Sequence, residues 1–259
     1  IRLHLKSLTY GRKREDYAKY SCFMKRPCYN IAVSEVMNNM IKAIFLSYTG
    51  VVLPRRGNEY RQFIETLVRN SNLKDYERAA EWFQQTLRTY KCSHSIGRYT
   101  REEDLLRKMF EEKKDEIRLT MPVEQVLIMV QNCLMYSPVS DELPGFLSLS
   151  RRPVYIISDC SADYVTVEMK RNHLHIHGVV GCDSAQAYRN CPDVFQTALQ
   201  KAGVEKDEAL YIGEDAQMDL PGARQAGITS VILDRRGDYN GTEYRRIRSL
   251  SSLLANLGE

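Results

Sequence analysis

Short, largely apolar runs alternating with amphipathic stretches fill residues 151–259, and this rhythm restricts the fold more than any other feature of the chain. Val154-Tyr155-Ile156-Ile157-Ser158, a continuous apolar run ending at a small polar residue, and Ile176–Val180, Ala209-Leu210-Tyr211-Ile212-Gly213 and Thr229–Leu233 read as strands. Their apolarity marks strands buried on both faces, as in a parallel sheet covered by helices. Pro192–Ala202 and Pro221–Ala226 read as helices, the second closed by Gly227, and Leu250–Leu257 as a short final helix. Ile44–Leu46, within Ala43–Leu53, adds one more strand that runs into a tight turn. The expectation is an α/β fold with a five-stranded parallel sheet.

Residues 58–148 have a different texture, with helical periodicity and few β-branched clusters. Glu59–Arg69 places Tyr60, Phe63 and Leu67 on one face, and Asp75–Tyr90 aligns Ala79, Trp82, Phe83 and Leu87. Ser93–Gly97 breaks the pattern. Thr100-Arg101-Glu102-Glu103 resembles a capping box ahead of Leu105, Leu106, Met109 and Phe110. Pro122 then opens Val123–Met135, a more uniformly apolar helix. The aromatic and methionine stripes read as core packing. Four helices inserted after the first strand form a helical bundle.

Charge is unevenly spread. Residues 1–43 hold nine Lys or Arg against three acids, a local +6 in a chain whose total is +4. Gly11-Arg12-Lys13-Arg14 is the densest point, with Tyr10, Tyr17, Tyr20 and Tyr29 interleaved. Such a segment suits contact with RNA, acidic lipid or an acidic protein surface, and equally a solvated tail. The chain begins with Ile1, and the acid-free first 14 residues suit the neighbourhood of an organelle-targeting cleavage site. No run reaches the roughly 18 apolar residues of a membrane span. Seven scattered cysteines (Cys22, Cys28, Cys92, Cys133, Cys160, Cys182, Cys191) without a Cys-x-x-Cys pair argue against a disulfide framework or zinc ribbon and for a reducing compartment. His173, His175 and His177 alternate, but three imidazoles from one short segment converge poorly on one ion, so they read as a surface strand end.

In open parallel sheets, ligands bind outside the carboxyl ends of the strands. The residues there carry the functional reading. Ala43-Ile44-Phe45-Leu46-Ser47-Tyr48-Thr49-Gly50 resembles an apolar strand followed by Asp-x-Asp-Gly-Thr, and Ile156-Ile157-Ser158-Asp159 resembles a phosphate-binding Ser/Thr motif. Tyr188-Arg189-Asn190-Cys191-Pro192-Asp193-Val194-Phe195 resembles Lys-Pro-x-Pro-x-Ile-Phe, with Arg189 in the Lys position. Tyr211–Gly227 resembles Gly-Asp-Ser-x-x-x-Asp-x-x-Gly-Ala-x-x-Ala-Gly, with Glu214 and Asp219 as its acids. In this order and spacing the motifs are similar to those of the haloacid dehalogenase-like hydrolases. The resemblance covers about residues 43–57 and 143–257. It implies a Rossmann-like parallel sheet flanked by helices, divided into a core (43–57 and 149–259), an inserted α-helical cap (58–148) and a basic N-terminal extension (1–42).

The resemblance also implies a mechanism: an Asp nucleophile, a second Asp that protonates the leaving group, and Mg²⁺ held by oxygen ligands. Leu46 is read into the nucleophile's slot and Tyr48 into the second acid's, with Thr49-Gly50 inverted relative to the consensus. No Asp or Glu lies between Glu35 and Glu59, and Ser47, on an alternating strand, points away from the Leu46 direction. On this reading catalysis is lost, and Leu46, Tyr48, Ser158, Arg189, Glu214 and Asp219 are vestigial. The expectation is a non-enzyme without cofactor, with residual Mg²⁺ binding at Glu214 and Asp219 as the exception. It would act as a structural or assembly subunit among other proteins, in a mitochondrial ribosome or respiratory assembly, or else in the cytoplasm. Two alternatives stand beside it: an active Mg²⁺-dependent phosphatase with non-standard residues, and an RNA-binding protein using residues 1–30.

Overall fold

The structure, a computed structural model, describes residues 40–54, 57–94 and 99–259. The RNA contact expected of residues 1–30, the greater part of the basic extension, the amphipathic stretch from Ala32, the break centred on 95–97, Cys22 and Cys28 lie outside them.

Six parallel strands form one sheet in the order β3-β2-β1-β4-β5-β6. They are β1 (Ala43–Ser47), β2 (Val154–Ser158), β3 (Gly178–Gly181), β4 (Ala209–Gly213), β5 (Thr229–Leu233) and β6 (Arg246–Ile247). Every residue of β1, β2 and β4 is buried, as the unbroken apolar runs require. β6, two residues long, has too little periodicity to be read from sequence, and it forms by pairing with β5.

Among the described residues, the first four of the five α-helices between β1 and β2 form a separate layer. They are α1 (Asn58–Arg69), α2 (Tyr76–Ser93), α3 (Glu102–Lys113) and α4 (Val123–Tyr136). Phe63, Phe83, Met109, Phe110 and Val126 share one buried cluster, in line with the stripes read from the sequence. The expected capping box at Thr100 does not form. Arg101 is the N-cap of α3 without a side-chain bond.

The remaining helices flank the sheet. α5 (Leu143–Leu149), α6 (Ala162–Arg171) and α10 (Leu250–Asn256) cover the face that carries Ile44, Leu46, Ile156 and Ile212. α7 (Cys182–Ala185), α8 (Pro192–Ala202) and α9 (Leu220–Gln225) lie on the side of Ala43, Phe45, Ile157 and Tyr211. α5, α6 and α7 escape the periodicity argument because they are short or their apolar positions are few. Leu105 of α3 packs into this second cluster and anchors the inserted helices to the sheet.

His173, His175 and His177 are exposed in the loop that enters β3, and among the described residues no group of three or more His, Cys, Asp or Glu could hold a metal ion. Cys92, Cys133, Cys160 and Cys182 are free thiols. Among the described residues no helix is long and apolar enough to cross a membrane.

The turn after β1 positions the site. Tyr48–Val52 forms a single wide turn in which Gly50 takes φ 101°, a conformation that only glycine adopts without strain. A Cβ at Gly50 would also collide with the Glu214 carboxylate. Gly50→Ala is expected to destabilise the protein by about 1–3 kcal/mol, measured by urea denaturation. Adding Glu214→Ala should restore only part of that loss, because it removes the carboxylate but leaves the Glu214 Cβ, 2.8 Å from the added Cβ, and the backbone strain.

Candidate active site

The carboxyl ends of β1, β2 and β4 place Ser47, Asp159 and Asp219 around one side chain, Arg189, on the loop before α8. The Arg189 guanidinium grips Asp159 with two bonds, Nε to Oδ1 at 2.9 Å and Nη2 to Oδ2 at 3.0 Å. Its Nη1 donates to Asp219 Oδ1 at 2.6 Å and to Ser47 Oγ. Asp219 also accepts from the Tyr211 hydroxyl at 2.6 Å and from the backbone N–H groups of Glu214 and Asp215, each at 2.8 Å. The inserted helix α2 adds two cations from above. Lys91 bridges Glu102 at 2.5 Å and Asp159 at 2.8 Å, and Arg88 pairs with Asp215 at 3.0 Å.

Ser47, Lys91, Asp159, Arg189, Asp215 and Asp219 are buried, with Arg189 2% and Asp219 0% exposed, while Arg88 and Glu102 are half-buried. Burial by itself would raise the Asp159 carboxyl's pKa, but Arg189 and Lys91 overcome it and hold that carboxyl well below the usual carboxylate range. Burial would lower the pKa of Lys91, but Asp159 and Glu102 raise it above the ordinary lysine value. Arg189 is held charged in the same way against its own burial by Asp159 and Asp219. The phenol of Tyr211 is raised by burial and by the Asp219 charge, so it stays a hydrogen-bond donor.

The residues singled out from sequence are divided by this geometry. Arg189 and Asp219 are at the centre, and Glu214 sits beside them against Gly50. Ser158 is at the end of β2, but its hydroxyl pairs with Cys160, whose backbone N–H it accepts at 3.1 Å. Leu46 and Tyr48 are not in the site. Leu46 is fully buried in the apolar cluster on the other face of the sheet, and the Tyr48 hydroxyl donates to the carbonyl of Leu134 at 3.0 Å. Burial raises the Tyr48 phenol far above its ordinary pKa.

This corrects the register of the first motif by one residue. Counting back from Gly50 puts Ser47 in the first acid's place and Thr49 in the second's. In the structure Ser47 faces Arg189, and Thr49 lines the adjoining cavity. The pleat argument that turned Ser47 away was sound for the relation between neighbours but was anchored on the wrong residue. Gly50 was the available signal, because its positive φ cannot slip along the chain. Asp159 was legible beside Ser158. Arg88, Lys91 and Glu102 come from the inserted helices, and no spacing pointed to them.

A profile of the haloacid dehalogenase-like hydrolases matches residues 79–233, more than half of the chain. The chain belongs to this family. It is 34% identical over 73 residues to a glyceraldehyde 3-phosphate phosphatase of Methanopyrus kandleri, covering 28% of this chain and 31% of that protein. It is 36% identical over 52 residues to a phospholysine phosphohistidine inorganic pyrophosphate phosphatase of Xenopus laevis, covering 20% of this chain and 19% of the relative. The chain thus aligns with about a third or less of the length of these relatives. Among solved structures, the HAD-hydrolase YfnB from Bacillus subtilis bound to magnesium superposes with a TM-score of 0.69 at 12% identity, over 85% of this chain and 99% of that one. An L-2-haloacid dehalogenase from Xanthobacter autotrophicus with chloropropionic acid covalently bound gives 0.64 at 14% identity, over 83% and 98%. At these identities the likeness is one of fold. The expectation of a non-enzyme is overturned: the family is one of hydrolases, the aligned relatives are named as phosphatases, and Leu46 and Tyr48, on which that expectation rested, are not the site's residues.

The family's acids imply Mg²⁺, but the side chains at Asp219 do not fit it. Both Asp219 oxygens are already hydrogen-bonded, and Arg189 Nη1 spans from Ser47 to Asp219, placing a fixed cation at the centre of the site. A divalent ion there would be repelled by the guanidinium.

Asp159→Asn leaves Arg189 and Lys91 short of one buried charge partner and is expected to cost about 3–5 kcal/mol at pH 7. The sign with pH follows from the lowered carboxyl. Asp159's contribution is fully present above its unfolded pKa of about 3.9 and declines as pH falls from there toward the folded value. Urea denaturation at pH 7 and pH 3 should therefore show a smaller gap between wild type and variant at pH 3.

Proposed function

We propose that this chain is a working hydrolase that acts on a small phosphomonoester, with Ser47 as nucleophile and Arg189 as the fixed cation beside it. The observation that carries this reading is the Arg189 guanidinium hydrogen-bonded to both Ser47 and Asp219 at the carboxyl end of β1. The Ser47 hydroxyl, which donates to the Thr49 carbonyl at 3.0 Å and accepts from Arg189, is the side-chain oxygen at that strand end that would attack phosphorus. A guanidinium already oriented by two carboxylates offers positive charge to a transferring phosphoryl group without reorganising. The two partial relatives named as phosphatases support the substrate class.

In the first step a bond forms from Ser47 Oγ to phosphorus, the bond from phosphorus to the ester oxygen breaks, and the hydroxyl proton leaves with the alcohol. Water then cleaves the seryl phosphate and returns Ser47 and inorganic phosphate. Lys91 and Arg88, held by Glu102, Asp159 and Asp215, flank the entry from the inserted helices. In this reading the insertion acts as a cap, and the charge that a metal would bring is supplied by Arg189.

Ser47→Ala is expected to lower kcat/KM for p-nitrophenyl phosphate by about 10³ or more. Added EDTA should leave the wild-type rate unchanged. The reading fails if Ser47→Ala retains wild-type turnover, or if no phosphomonoester in a broad panel is hydrolysed.

A further inference from the structure

Next to the polar cluster, between the inserted helices and the strand ends, lies a cavity of 130 Å³. Thr49 and the ions Arg88, Lys91, Glu102, Asp159, Arg189 and Asp215 form its polar end. The rest of its wall is mostly carbon and sulfur: Phe63, Phe83, Leu106, Val130, Leu134 and Met218, with Cys133 and the hydroxyl-bearing Ser137 beside them. Gln84 and Tyr60 also reach the wall, where the Gln84 amide N–H donates to the Tyr60 hydroxyl at 3.1 Å.

We infer that this cavity receives a single aromatic ring as the leaving-group end of the substrate, so that the site's substrate class is a monocyclic aromatic ester. The ester half of this inference rests on the hydrolase reading; the ring half rests on the cavity alone. The volume is that of one ring, since an apolar cavity of about 150 Å³ lined by Leu, Ile and Phe takes up benzene. The wall chemistry favours a π-system over an alkyl chain. Phe63 and Phe83 meet edge to face, with centroids 4.9 Å apart and planes at 76°, so a third ring can join the same herringbone. Met218 and Cys133 add sulfur–aromatic contacts. A polyol would bring hydroxyls into walls with few groups to meet them, each at a desolvation cost. The ions at the polar end are paired across the cluster, with Lys91 to Glu102 and Asp159, and Arg189 to Asp159 and Asp219, so selection among esters falls on the apolar walls.

The test uses the full chain and two pairs of small molecules. Calorimetric titration should give saturable one-to-one binding of benzyl alcohol and none of glycerol. Benzyl phosphate should be hydrolysed with a kcat/KM at least about tenfold above that of glycerol phosphate. Cys133→Phe, which fills the space from a half-buried wall position, should abolish benzyl alcohol binding. Should that variant not fold, Leu106→Ala enlarges the same space, and 2-naphthylmethanol should then bind the variant but not the wild type. The inference is overturned if benzyl alcohol does not bind, or binds Cys133→Phe as well as wild type. Ring binding without turnover of either ester would sink the hydrolase reading and leave the ring site standing. Equal turnover of both esters without ring binding would do the reverse.

Discussion

Arg189 carries a full charge in a place almost without water, and the arrangement around it is what makes that tolerable. An isolated guanidinium in this environment would cost far more than a domain's entire stability margin, so its neighbours are not optional. Asp159 meets it fork to fork, Asp219 and Ser47 take the remaining edge, and Lys91 shares Asp159 from the opposite side. Each partner has its own requirement. Asp219 is oriented by two backbone N–H groups and by Tyr211. Asp159 must stand at the end of β2 within reach of both cations. The ends of three strands, one helix-leading loop and one inserted helix are therefore tied to a single electrostatic problem.

That dependence also explains how the inserted helices are seated. Leu105 in the sheet's apolar cluster supplies adhesion without direction. Lys91 and Arg88 supply direction, because each must find its acid in the core. The result is a boundary with ionic groups at the strand ends and carbon and sulfur farther out, and the cavity lies where the two meet.

Much of this was readable in the linear chain. The five largely apolar runs became five strands close to their expected bounds, because burial on both faces leaves few polar positions to obscure the pattern. The insertion's helices followed from their periodicity. Arg189, Asp219 and Glu214 are legible because the segments at those strand ends resemble the family's motifs. The first motif was misread by one residue. In a strand buried on both faces, Leu46 and Ser47 are equally plausible occupants of the end position, and hydropathy does not distinguish the two sides.

The sequence by itself determined the class of fold, the family and the loops from which the site is built, since these depend on local periodicity and on short-range turn chemistry. Tertiary structure alone decided which face of β1 looks into the site, and with it whether Leu46 or Ser47 stands there. It also brought Lys91 and Glu102 to Asp159, and Arg88 to Asp215. These are matters of packing between segments far apart in the chain, where charge pairing and burial are settled only when the partners meet.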